Sequence, residues 1–209
     1  MIKRFIFDLD GTLIDKVDFS ELVKRKLKEF NYQYTDTQFR QYLQAMQNYE
    51  KEFSKYTFND YFEYIHQISM IDFSLEYMKS FLSSATKCVP DFIHQDVISA
   101  LNYLKEKYEL VVLTNFFKDV QLLRMENVGL PFMFDDVIGG DTFIKPMKDA
   151  FFYAAGERRV DECIMIGDSK AIDYDGAVNC GMHAIMFDRE SPYQTKNLIN
   201  NFNELRKRF

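Results

Sequence analysis

Asp8 and Asp10 stand two residues apart at the end of an apolar run, within "FIFDLDGTLID" (residues 5 to 15). Phe5, Ile6 and Phe7 suit a buried strand. An extended chain therefore carries both carboxylates to the same side of its carboxyl end. Gly11 lets the backbone turn sharply just beyond them. Other polar groups fall at comparable places. Thr114 and Asn115 close "ELVVLTN", and Asp168 closes "CIMIGD", with Ser169, Asp173 and Asp175 soon after. Two unit charges about 4 Å apart repel by about 4 kcal/mol at an effective dielectric near 20. Several Asp on one rim thus raise one another's pKa or call for a cation. Hard oxygen ligands without His or Cys favour Mg²⁺, and a metal with open positions attracts an anion such as phosphate.

These residues need elements to hold them. Strands alternate with helices from Pro90 onward. A helix over 92–107 leads to the strand at 109–115, and a further helix leads to a short strand near "DDVIGG" (135–140). A helix over 147–156 precedes "CIMIGD" at 163–168. A helix over "IDYDGAVNCG" leads to the strand "HAIMFD", and a last helix carries Leu198, Ile199, Phe202 and Leu205. Strands apolar throughout argue an α/β, doubly wound parallel sheet covered on both faces. The strand at 3–9 has the same character and belongs with it. Ligands of such sheets bind beyond the carboxyl ends of the strands, where the acids lie.

Residues 16–88 read differently. Four stripes recur at helical spacing: Phe19 to Phe30, Phe39 to Phe53, Phe58 to Ile65 and Phe73 to Leu82. Thr35 with Gln38 forms a capping box, and Thr57 and Asp72 are expected N-caps. The expected division is a core of 1–15 and 89–209, with an inserted α-helical domain at 16–88.

Composition narrows the function further. The chain has 209 residues, 47% of them hydrophobic, and a net charge of −6. A broad basic face for nucleic acid is not expected. The three cysteines show no metal-ligand spacing and fit a reducing compartment. No apolar stretch reaches the ~18 residues needed to cross a bilayer, and no signal peptide precedes the first strand. The expectation is a cytoplasmic protein without membrane partners. Its oligomeric state is not legible.

"DLDGT" (8–12), "LTN" (113–115), "KP" (145–146) and "GDSKAIDYDGA" (167–177) resemble, in order, the four motifs of the haloacid dehalogenase-like superfamily. The helical insert between the first two is similar to that superfamily's first cap class. The resemblance implies a Rossmann-like core and a Mg²⁺-dependent phosphatase that hydrolyses a small phosphorylated metabolite. It implies that Asp8 is the nucleophile that forms an aspartyl-phosphate and that Asp10 is the acid/base. Thr114, with Asn115 beside it, and Lys145 would bind the phosphoryl group. Asp8, the backbone carbonyl of Asp10, and Asp168 would hold Mg²⁺, with Asp173 behind them. An acid at position 10 favours phosphate chemistry over carbon–halogen cleavage.

Taken singly, these residues have plainer accounts. Asp8 and Asp10 could make a strand-end turn, Thr114 and Asn115 could cap a helix, and Lys145 could be a surface lysine. Asp175 reads as an acid at a helix N-terminus. The histidines and cysteines read as structural, and Arg40, Lys51 and Lys55 as surface charges. Among enzymes the alternative is a phosphomutase acting on a sugar phosphate, separable by assaying phosphate release against isomerisation. A phospho-accepting or non-catalytic binding module is a further alternative, but such modules place the phosphorylated Asp on a later strand.

Overall fold

The computed structural model describes residues 1–130 and 133–209. The described residues form one parallel sheet: β1 (Arg4–Phe7), β2 (Glu109–Leu113), β3 (Asp136–Ile138), β4 (Cys163–Gly167), β5 (His183–Phe187) and β6 (Leu198–Ile199). Their order is β3-β2-β1-β4-β5-β6. β1 lies centrally, with Ile6 opposite Val111 on one side and Met165 on the other. The chain winds from β1 through β2 to β3, then crosses back to β4. The carboxyl ends of β1 and β4 flank the point where the winding reverses, which is where such sheets bind ligands.

Both faces of the sheet are dry. Phe5 and Phe7 pack on one face among Leu101, Leu104, Phe202 and Leu205, from α5 (Gln95–Lys105) and the region of α9 (Asn203–Arg208). Ile6 and Met165 face the other, against Phe151 and Ala154 of α7 (Lys148–Ala155). Burial on both sides is why the strands lack polar alternation.

Residues 20–85 form α1 (Ser20–Glu29), α2 (Asp36–Glu52), α3 (Phe58–Ser69) and α4 (Leu75–Ala85). They share a core of Val23, Tyr42, Tyr61, Tyr77 and Phe81, which also takes in Val120 of α6 (Lys118–Val128) and Ile144. The Thr35–Gln38 capping box forms, and the Thr57 side chain accepts from Asp60 N.

Three expectations are corrected. Ser74, not Asp72, caps α4, accepting from Tyr77 N. Residues Met70 to Phe73 stay outside the helix because Met70 turns left-handed and Ile71 and Phe73 are buried. Leu198 and Ile199 are not helical. They pair with Met186 and Phe187 at the sheet edge, an ambiguity inherent in short apolar runs. The helix over "IDYDGAVNCG" is broken into a π-turn at Lys170–Tyr174 and α8 (Asp175–Val178), and the wider turn carries Asp173.

Glu109, at the entrance of β2, is clasped by Arg4 at 2.8 Å and by Arg158. The Arg158 hydrogen bond, then Arg4, outweigh partial burial and hold its carboxyl at about 2. Between the usual 4.5 and that value the unfolded chain binds the extra proton. The contribution is therefore complete above this window and is lost as pH falls through it. Glu109→Gln is expected to cost about 1 kcal/mol at pH 7 after allowance for solvent screening, and only a small remnant of that at pH 2. Urea unfolding across pH measures this, and a difference constant with pH would contradict it.

Candidate active site

Asp8 follows β1, and its N–H continues the ladder to Ile166 O at 2.9 Å. The chain then folds into a tight loop. The N–H groups of Thr12, Leu13 and Ile14 converge on Leu9 O, and Gly11 N donates to Ile14 O. Buried Leu9, Leu13 and Ile14 anchor this loop from below. Gly11 has φ +86°, and a Cβ there would sit 2.6 Å from the Asp168 carboxylate. Glycine thus serves both the left-handed turn and the close approach of a second acid.

β4 ends beside β1 and supplies the partners. The carboxylate oxygens of Asp8, Asp168 and Asp173 lie within 4.8 Å of one another. Lys145 Nζ, itself buried, donates to Asp8 Oδ1 at 2.7 Å and to Asp173 Oδ1 at 2.6 Å. Ser169 N donates to the other Asp173 oxygen at 3.0 Å. A Cβ on Gly167 would lie 2.4 Å from the Asp173 carboxyl carbon, so glycine at the end of β4 is what admits that side chain. Lys16 forms an ion pair with Asp168.

One buried ammonium thus faces two buried carboxylates. Burial works to lower the Lys145 pKa, but the charges of Asp173 and Asp8 outweigh it and keep the lysine cationic. The surplus negative charge falls on Asp8. Burial pushes its carboxyl up to about 7, against the pull of Lys145, and Asp173 and Asp168 add to the rise. A further cation on the open side of Asp8 and Asp168 would relieve this, and an all-oxygen donor set suits a hard divalent ion. The residues therefore fit the metal expected from the sequence.

Asp10 points elsewhere on the rim. Arg124 of α6 holds it as a two-pronged pair, with Nη1–Oδ2 and Nη2–Oδ1 both 2.7 Å, and Gln121 Nε2 adds a third donor at 3.0 Å. Arg124 Nε also donates to Cys88 O at 2.8 Å, where the chain leaves the helical block. Thr114 is buried, and its hydroxyl accepts from Gln121 at 2.8 Å. Asn115 is tied to the backbone of Lys145 and to the acid of α2. Its Oδ1 accepts from Lys145 N at 2.8 Å, and its Nδ2 donates to Glu50 Oε2 of α2 at 2.7 Å.

Sequence reasoning missed Arg124, Gln121, Lys16 and Glu50. A signal existed on α6, where Gln121 and Arg124 share the buried stripe with Val120 and Met125 while Leu123 is exposed. Asp175 pairs with Lys170. Arg40 and Lys51 bond to Thr37 and Asn48 on the surface.

A parallel α/β sheet with acids at the ends of β1 and β4 and a buried lysine on the segment after β3 defines a class, the Rossmann-like α/β folds. The family model described as haloacid dehalogenase-like hydrolase matches residues 5–187, and the chain belongs to that family. N-acylneuraminate-9-phosphatase of Rattus norvegicus is 25% identical over 91% of this chain and 84% of its own length. Pyrimidine 5'-nucleotidase YjjG of Escherichia coli is 31% identical over 41% of this chain and 40% of its own length. Among solved structures, magnesium-bound YfnB of Bacillus subtilis superposes with a TM-score of 0.67 at 19% identity, covering 99% of this chain and 97% of that one.

Proposed function

We propose that the protein is a divalent-metal-dependent phosphatase that hydrolyses a small phosphomonoester through an aspartyl-phosphate on Asp8. The observation that carries this reading is the cluster of Asp8, Asp168 and Asp173 around Lys145, at the wall of a cavity of about 450 Å³. The two phosphatase relatives support the reaction class. Their names leave the alcohol open, since one acts on an N-acylneuraminate and the other on a pyrimidine nucleotide.

In this reading an Asp8 oxygen bonds to phosphorus as the ester P–O bond breaks. Lys145 faces the growing negative charge and is held in place by Asp173 and by Asn115 through its backbone. Thr114 offers its hydroxyl to a phosphoryl oxygen. Asp10 protonates the departing alcohol, then takes a proton from the water that releases inorganic phosphate. Both Asp10 oxygens accept from Arg124 here, so delivering a proton requires one of them to leave the guanidinium. Mg²⁺, held by Asp8, the Asp10 carbonyl and Asp168, would neutralise charge on the phosphoryl group.

Residues 16–88 act as a cap over the sheet, with 1–15 and 89–209 as the core. Phe19, Met46 and Tyr61 of that block line the cavity. Closure excludes water from the reacting atoms. Among the described residues no helix is long and apolar enough to cross a membrane, and the three cysteines are unpaired, which fits the cytoplasm.

The test is phosphate release from para-nitrophenyl phosphate. EDTA is expected to lower the rate at least about 100-fold, and excess Mg²⁺ to restore it. A rate indifferent to EDTA would remove the metal from the reading.

A further inference from the structure

The charge inventory of the cavity limits the alcohol half of the substrate, an inference that rests on the phosphatase reading. Three cations line the cavity among the described residues, and each is committed: Lys145 to Asp8 and Asp173, Arg124 to Asp10, and Lys16 to Asp168. A bound phosphoryl group draws on that same set, and a metal draws on the acids that hold it. Apart from Lys16, which Asp168 holds, the helical block contributes one charged side chain to the cavity wall, the acid Glu50. Its remaining contribution is apolar or neutral, with Phe19, Met46 and Tyr61 beside Gln47.

Glu50 is fixed in place. Tyr56 OH donates to Oε1 at 2.9 Å and Asn115 Nδ2 to Oε2 at 2.7 Å. The loop carrying Tyr56 is itself tied to the core, with Tyr56 N on Gly140 O at 2.8 Å and Ile144 N on Ser54 O at 3.0 Å. A carboxylate has about four acceptor sites, and these two donors fill two. The rest can accept from a substrate hydroxyl or amine, and both hydrogen-bond partners of Glu50 are neutral, so neither cancels its charge toward a second anion.

We propose that Glu50 is a specificity-determining residue that selects phosphomonoesters of uncharged, hydrogen-bond-donating alcohols and rejects those bearing a carboxylate or a second phosphate. Rejection of the wrong charge is as much a part of specificity as attraction of the right one. The aromatic wall, in which Phe116 packs edge-on against Tyr61 at 5.8 Å between ring centroids, gives the uncharged alcohol an apolar surface to rest on.

Glycerol 3-phosphate and 3-phosphoglycerate test this, because they differ in a hydroxymethyl against a carboxylate. Wild type is expected to favour the first by about 30-fold in kcat/KM, the effect of a like charge roughly 8 Å away at an effective dielectric near 20. Glu50→Gln keeps both hydrogen bonds, since Tyr56 OH can accept as well as donate. It is expected to shrink the preference to under about threefold, with an unchanged melting midpoint as the folding control. Para-nitrophenyl phosphate and its ring-carboxylated analogue repeat the comparison if the glycerol pair binds too weakly to measure. A wild-type ratio near unity, or a ratio that Glu50→Gln leaves unchanged, overturns the assignment of Glu50. Failure to hydrolyse any of the four compounds overturns the phosphatase reading instead.

Discussion

Asp8→Asn is expected to abolish turnover, by at least about 10⁴-fold, while leaving the protein folded. An amide has no carboxylate oxygen to offer phosphorus, so the covalent route closes. The same change relieves the folded state. Asp8 is buried against a lysine already shared with Asp173, and burial pushes its carboxyl up. A neutral amide oxygen can accept the same 2.7 Å bond from Lys145 without the surplus charge. The melting midpoint should therefore equal or exceed that of wild type in the absence of metal. Turnover of para-nitrophenyl phosphate and thermal unfolding monitored by circular dichroism check both halves. Full activity in the variant would show that Asp8 is not the nucleophile.

Lys145→Met is expected to lose both stability and activity. The ammonium is almost fully buried, and so is the Asp173 carboxylate it holds. Removing one member of such a group leaves like charges facing each other in a poorly solvated site. That costs about 3 kcal/mol, more than the apolar packing of Met returns. Mg²⁺ is a replacement cation for the same oxygens. Urea unfolding in EDTA should show the full loss, and excess Mg²⁺ should recover about 1 kcal/mol of it. Turnover should fall by about 100- to 1,000-fold even with metal, because the fixed charge facing the phosphoryl group is gone. Equal stability of variant and wild type in EDTA would mean that the lysine and the two acids are not coupled as the geometry places them.

Much of this site was legible because its chemistry sits where local rules apply. Asp8, Thr114 and Asp168 each follow an apolar strand, and a parallel sheet brings those ends to one edge. Thr35 and Thr57 were readable as caps for a similarly local reason, since a cap is satisfied within three residues. Ser74 was not separated from Asp72, because both precede an apolar stripe and only the burial of Phe73 decides between them. The edge strand Leu198–Ile199 was misread as helix because Leu198, Phe202 and Leu205 also fit a helical stripe.

The order of the motifs and the run of strands were determined by the sequence itself, since residue type and spacing decide which groups a strand end can present. Charge partnership was decided only by the tertiary structure. Arg124 meets Asp10 across 114 positions and Glu50 meets Asn115 across 65. Neither pairing leaves a periodic trace, because an ion pair needs two side chains to converge in space and places no constraint on the residues between them. The same holds for Lys145, whose sharing between two acids follows from the bend that carries Asp173 back toward β1.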